Sequence, residues 1–216
     1  MPLTLTRHGH ACVRLTRDDG ARLVVDPGSF SDVATALDGV DAVLVTHEHP
    51  DHLDTDAVVA ATGRGVQVWA PAAVVEQLAA VGAPVAALHA VQPGDALTVG
   101  GLDVQVLGGW HEVIHPDVPR LTNVAYLVEG AVLHPGDAFT LPPAGAAVRV
   151  LLEPVGAPWL RMADAVDHVR AVAPDRVVPI HDATLSDAGR ALAARLLGQL
   201  TTARVVEPAA GEPVEV

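Results

Sequence analysis

A chain of 216 residues, half of them apolar but only 3% aromatic, can bury a large core built from Val, Leu and Ala. Its 26 acidic residues against 13 basic ones, all Arg and with no basic run, give a net charge of -13 and argue against a nucleic-acid partner. The single cysteine, Cys12, excludes an intrachain disulfide and reads as a small buried strand residue.

The first residues carry no charged segment ahead of an apolar one, so no signal peptide is expected. The most apolar stretch, 78–91, is broken by Gly82, Pro84 and His89 and is too short to span a bilayer. These features predict a cytoplasmic protein with no membrane partner. A homo-oligomer is compatible with the sequence.

In chain order, residues 3–16 read as a strand, with Ala11, Val13 and Leu15 alternating against Cys12, Arg14 and Thr16. Asp18-Asp19-Gly20 is a hairpin turn, 22–25 the return strand, and Asp26-Pro27-Gly28 its stop. Residues 43–45 are a short buried strand, and Asp54 caps a helix over 55–61. A strand at 67–69 precedes a helix opened by Pro71 and closed at Gly82. Residues 84–88 read as a strand, and 96–107 as a hairpin turning at Gly100-Gly101. A second hairpin joins 123–128 to 131–134 through Glu129-Gly130, and 148–152 and 176–180 are strands. The helix at 161–172 turns Met162, Ala165, Val166 and Val169 inward and leaves His168 on its polar face; His89 also reads as a surface residue. Ser186 caps the last helix, with Leu192, Leu196 and Leu200 inward. No linker or repeat divides the chain, so residues 1–216 are expected to form one α/β domain.

The chemistry is concentrated at His47-Glu48-His49-Pro50-Asp51-His52. In an extended segment His47 and His49 share a face. Pro50 then bends the chain, so Asp51 and His52 approach from another direction. The spacing suits two adjacent metal ions, His47 and His49 on one, Asp51 and His52 on the other, with ligand types that zinc accepts. Three further candidates stand at strand ends: His111 after Gly108-Gly109, Asp137 within His134-Pro135-Gly136-Asp137, and His181 after 177–180.

His47-x-His49-x-Asp51-His52 resembles the HxHxDH signature of the metallo-β-lactamase-fold hydrolases. His111, Asp137 and His181 follow in the family's order, and the resemblance covers nearly the whole chain. Gly9-His10-Ala11 and the strand-ending Asp26 are similar to the ascorbate-6-phosphate-lactonase-like branch. The resemblance implies a four-layer αββα sandwich, two β-sheets packed face to face with helices outside and the site at one edge. It also implies that His111 completes the first metal's ligands, that His181 completes the second's, and that Asp137 bridges them. Asp51 and His52 are then catalytic through the second metal. His10, Asp26, His115 and His134 are candidates for the layer behind the ligands or for the pocket. The expected cofactors are two divalent transition-metal ions, zinc favoured by the His-rich set, manganese or iron next.

Such a protein is a metal-dependent hydrolase in which a metal-bridging hydroxide cleaves an ester, lactone or phosphoester bond of a small-molecule substrate. Within 154–161, Trp159 is a candidate pocket wall, and Arg120 and Arg161 are the best candidates for a phosphate clamp. Two rival readings remain. One is a metal-binding scaffold or sensor without turnover. The other is a zinc protease, because His111-Glu112-Val113-Ile114-His115 matches HExxH. That motif works on a helix, which the flanking glycines, the β-branched Val113 and Ile114, and Pro116 disfavour.

Overall fold

The computed structural model describes residues 2–216. Two seven-stranded mixed sheets make up its centre. The first joins β1 (Leu3–Gly9), β2 (Cys12–Arg17), β3 (Arg22–Val25), β4 (Ala42–Leu44), β5 (Gln67–Ala70) and β6 (Leu88–Ala90), with the last strand, β14 (Pro213–Glu215), beside β1. The second is built from β7 (Ala96–Val99), β8 (Leu102–Gly108), β9 (Val124–Val128), β10 (Val132–His134), β11 (Val150–Pro154), β12 (Arg176–Ile180) and β13 (Arg204–Val205), in the order β13-β12-β11-β10-β9-β8-β7.

The period of two along each strand sorts the apolar side chains into layers. Leu23 and Val25 of β3 face inward with Val104 and Val106 of β8 and Val178 and Ile180 of β12, and form the core between the sheets. Val24, between them in β3, faces outward and packs with Val43 and Val68 under α2 (Thr55–Thr62) and α3 (Ala72–Ala80). On the far side, Leu127, Leu133 and Val177 pack under α4 (Met162–Val172) and α5 (Asp187–Leu200). These are the four layers of the expected αββα sandwich.

Several local expectations are corrected. Residues 3–16 are two strands, because Gly9 and His10 take φ of 106° and 47° and turn the chain back. Residues 85–87 form a 3-10 turn behind Pro84, and strand begins only at Leu88. In α5 the buried residues are Ala193, Ala194 and Leu197, while Leu192 and Leu200 are exposed; small side chains let the helix lie close on the sheet. His168 is buried, not on a solvent face, and His89 is half-buried, stacked on Trp69.

β1 and β3 run the same way, parallel to β4, and β8 runs with β10, β11 and β12. Their C-terminal ends therefore open on one edge of the sandwich, where loops carry the candidate residues. Tyr126 of β9 ties the sheets together there: its buried hydroxyl donates to the Val45 carbonyl at 2.8 Å. Among the described residues, no helix is long and apolar enough to cross a membrane.

Candidate metal centre

The site is assembled from the strand ends inward. β4 delivers Thr46 and His47, fully buried, and the chain then folds back under Asp54, whose carboxylate caps α2. Glycine at position 28 is what lets the Asp26–Gly28 turn lie against this segment: a Cβ there would sit 1.8 Å from the Asp51 carbonyl oxygen. Gly136 does the same for the 134–137 loop. At φ 63°, its added Cβ would fall 2.3 Å from the Asn123 amide oxygen.

Two groups of side chains result, each with its ligand atoms within 4.8 Å of one another: His47, His49, His111 and Asp137; and His10, Asp51, His52 and His181. Asp137 stands between them. Its Oδ1 is 3.1 Å from His52 Nε2, and its Oδ2 is 3.3 Å from both His111 Nε2 and His181 Nε2.

The hydrogen-bond partners assign the imidazole tautomers. His52 Nδ1 faces the buried Asp26 carboxylate at 2.7 Å, His111 Nδ1 the Glu112 carbonyl at 2.6 Å, and His181 Nδ1 the Gly156 carbonyl at 2.7 Å. In the neutral imidazoles each Nδ1–H donates, so each Nε2 is left as a lone pair. Those three Nε2 atoms and Asp137 Oδ1 are buried without any hydrogen-bond partner. Thr46 gives its hydroxyl proton to Asp26 at 2.7 Å, so it accepts from His47 Nδ1 at 3.0 Å. His47 Nε2 then faces His49 Nδ1 at 3.0 Å. Orphaned polar atoms converging in this way are costly unless a cation takes them up, so the donor set fits divalent metal.

His10 belongs to the second group by distance, but its bonds give it another part. Nδ1 accepts from the Ala183 N–H at 3.2 Å, so the proton sits on Nε2 and donates to Asp51 Oδ2 at 3.1 Å. Asp26 is fully buried and accepts from the Thr46 N–H, the Thr46 hydroxyl and His52. His134 has both nitrogens in use, Nε2 toward the Ala11 carbonyl and Nδ1 accepting from Gly136, and so braces the loop. His10, Asp26 and His181 all hold positive φ, between 47° and 56°, strain that recurs where a side chain must be aimed.

The charges are coupled. Burial works to lower His181, yet Asp137 and Asp51 push it up to about 9. His52 is likewise raised against burial by Asp137 and Asp26. Burial first, and then the neighbouring His52, drives His47 well below the usual imidazole range. Asp51 and Asp137 lie below the ordinary carboxylate range despite burial, held there by the surrounding histidines. Without metal, protons supply the positive charge that the carboxylates require.

The HExxH reading fails on local geometry. Residues 109–123 form no helix, and the His115 side chain is 61% exposed beside Asp117, outside both groups. Arg161 is bound through two nitrogens to Asp164, and Arg120 donates Nε to the His111 carbonyl. Trp159 does reach the site: its indole N–H donates to Asp137 Oδ2 at 3.0 Å. Sequence reasoning missed Asn123, fully buried, whose amide accepts from Asp137 N–H and donates to the Pro135 carbonyl. It also missed Thr46, although a hydroxyl directly before the first ligand candidate was a usable signal.

Residues 4–181 match the family model of the beta-lactamase superfamily domain. Protein Rv0786c of Mycobacterium tuberculosis is 38% identical over 207 residues, spanning 93% of each chain. The UPF0173 metal-dependent hydrolase MK1542 of Methanopyrus kandleri is 29% identical over 84% of this chain and 85% of its own. Among solved structures, Igni18, a metallo hydrolase of Ignicoccus hospitalis, superimposes with a TM-score of 0.75 at 21% identity, covering 100% of this chain and 99% of its own. The chain therefore belongs to the beta-lactamase superfamily, as a metallo-β-lactamase-fold hydrolase.

Proposed function

We propose that this protein is a binuclear metal-dependent hydrolase that adds water across an ester, lactone or phosphoester bond of a small molecule. The observation that carries this reading is the convergence of four orphaned buried atoms, Nε2 of His52, His111 and His181 and Oδ1 of Asp137. His47, His49 and His111 would hold one ion, Asp51, His52 and His181 the other, with Asp137 between them. Zinc suits the His-rich donor set best, with manganese or iron next. Such ions lower the pKa of water to about 7 and polarise a carbonyl or phosphoryl oxygen.

The protein's own groups have defined tasks. Asp26 accepts the hydrogen bond from His52 Nδ1–H and, through Thr46, orients His47, which makes both imidazoles better ligands. His10 holds the Asp51 carboxylate at Oδ2. Asp51 keeps 24% of its side chain exposed and His49 is half-buried, so substrate approaches on that side. No protein nucleophile is needed, and Cys12 is unsuited to the role: burial pushes its thiol up to about 12.

The test is hydrolysis of an ester, lactone and phosphodiester panel by metal-loaded and chelator-stripped protein. Turnover that appears with metal and disappears with its removal is the expected result. Full metal occupancy with no turnover across the panel would overturn it in favour of a non-catalytic metal-binding scaffold.

A further inference from the structure

Building on that hydrolase reading, we propose that the site takes substrates whose non-reacting part is apolar and uncharged, an alkyl- or aryl-bearing lactone or ester, and rejects phosphorylated ones. A cavity of about 460 Å³ adjoins the metal centre, with Trp159, Phe139 and Leu141 as its apolar wall. The indole borders both: it lines the cavity, its N–H is fixed on Asp137, and its ring centroid lies 6.0 Å from that of His111. The wall is preformed. Phe139 meets Trp159 edge-on at 5.5 Å and is backed at 5.4 Å by His168, which is pinned between Glu153 and the Thr140 carbonyl.

The charge in this cavity is wrong for an anion. Glu112, Asp164 and Asp167 line it, and its one arginine, Arg161, is 81% exposed and held bidentately by Asp164. Asp167 is paired with Arg170 at 3.4 Å, so a phosphate there would find both nearby guanidinium groups already engaged and Glu112 facing it without a cation. Apolar side chains also stand elsewhere around the centre. Phe30, 53% exposed, packs edge-on to His10 at 5.4 Å, and Val113 and Val118, 51% and 47% exposed, line a narrower cleft with His49, His111, Glu112 and Arg120. Apolar side chains left in water around a polar centre mark a surface that a ligand covers.

The experiment uses metal-loaded full-length protein and γ-lactones carrying methyl, butyl and hexyl chains, beside a lactone carrying a phosphomethyl group. Each methylene that enters the cavity is worth roughly 0.8 kcal/mol, so kcat/KM should rise up to about four-fold per CH2. The phosphorylated lactone should be at least about ten-fold poorer than its uncharged counterpart, the equivalent of roughly one pKa unit of interaction. Leu141→Asp, at a side chain 55% exposed and so outside the core, should flatten the chain-length slope. A second arm needs no turnover: binding of 2-hexyltetrahydrofuran, a non-hydrolysable mimic, followed by calorimetry. Binding with a negative heat-capacity change, weakened by Leu141→Asp, is expected. A flat series or a preference for the phosphorylated lactone, which would make Arg120 an anion clamp, overturns the inference and leaves the hydrolase reading intact. Absence of turnover throughout and across the ester and phosphodiester panel, with the mimic still bound, sinks the hydrolase reading instead, and absence of mimic binding overturns the inference by itself.

Discussion

Two buried clusters in this molecule combine histidine with carboxylate, and they behave oppositely. At the metal centre each of His52, His111 and His181 donates one N–H and leaves its other nitrogen buried and unpartnered. Behind the Phe139 wall, His168 has a partner on both sides, Glu153 at 2.7 Å and the Thr140 carbonyl at 3.0 Å. The carbonyl fixes a proton on Nε2, and Nδ1 shares one with Glu153, whose charge raises the His168 pKa against burial while burial raises its own. The first cluster turns three unpartnered ring nitrogens toward one carboxylate, where metal or protons must supply the positive charge. The second pairs both nitrogens of its histidine and leaves only one carboxylate oxygen, Glu153 Oε1, without a partner. A histidine's second nitrogen thus separates a ligand from a brace, although both are buried.

The largest way to break this comparison is at a ligand. His111→Ala should lose metal and, with the ion that activates water, nearly all turnover, by elemental analysis and kinetics. His115→Ala, four residues on and exposed, should match the parent in both. Equal metal loss in the two variants would restore the protease reading.

At the His168 cluster the effect should fall on stability and spare metal content. His168→Leu leaves Glu153 fully buried without its partner, which typically costs about 3–5 kcal/mol, readable by denaturant unfolding. Replacing both residues with apolar ones should recover most of that loss. A fall in metal stoichiometry in the folded double variant would join the clusters that the comparison keeps apart.

Much of the centre was legible because its chemistry is local. Six consecutive residues carry four donors, and strand ends locate His111, Asp137 and His181. What escaped depends on distant partners. His168 looked like a surface residue because its partner Glu153 lies on a strand that is buried throughout. The strand β14 could not be read from its own three residues, since it exists by pairing with β1 at the other end of the chain. In α5 the leucines suggested one face, but close approach to the sheet selected the alanines beside them.

A smaller effect is expected one layer behind the ligands. Asp26→Asn keeps the shape but weakens the pull on the His52 proton, and should cost about 10–100-fold in metal affinity, measured by competition with a chelator. Unchanged affinity would reduce Asp26 to a turn residue.

The subtlest test is pH. In metal-free protein, His181 is raised to about 9, above its unfolded value near 6.5. Its contribution to stability is complete below pH 6.5 and is lost as pH climbs through about 9. Melting temperature of the stripped protein should therefore fall between those limits. Metal-loaded protein should lack that decline, because the ion has displaced the proton.

The central claim is that the metal centre holds two ions. Elemental analysis of folded protein after stripping and reloading tests it directly. The account predicts two transition-metal ions per chain, since seven donors are too many for one tetrahedral site. A reproducible value of one or less after full reloading would contradict it.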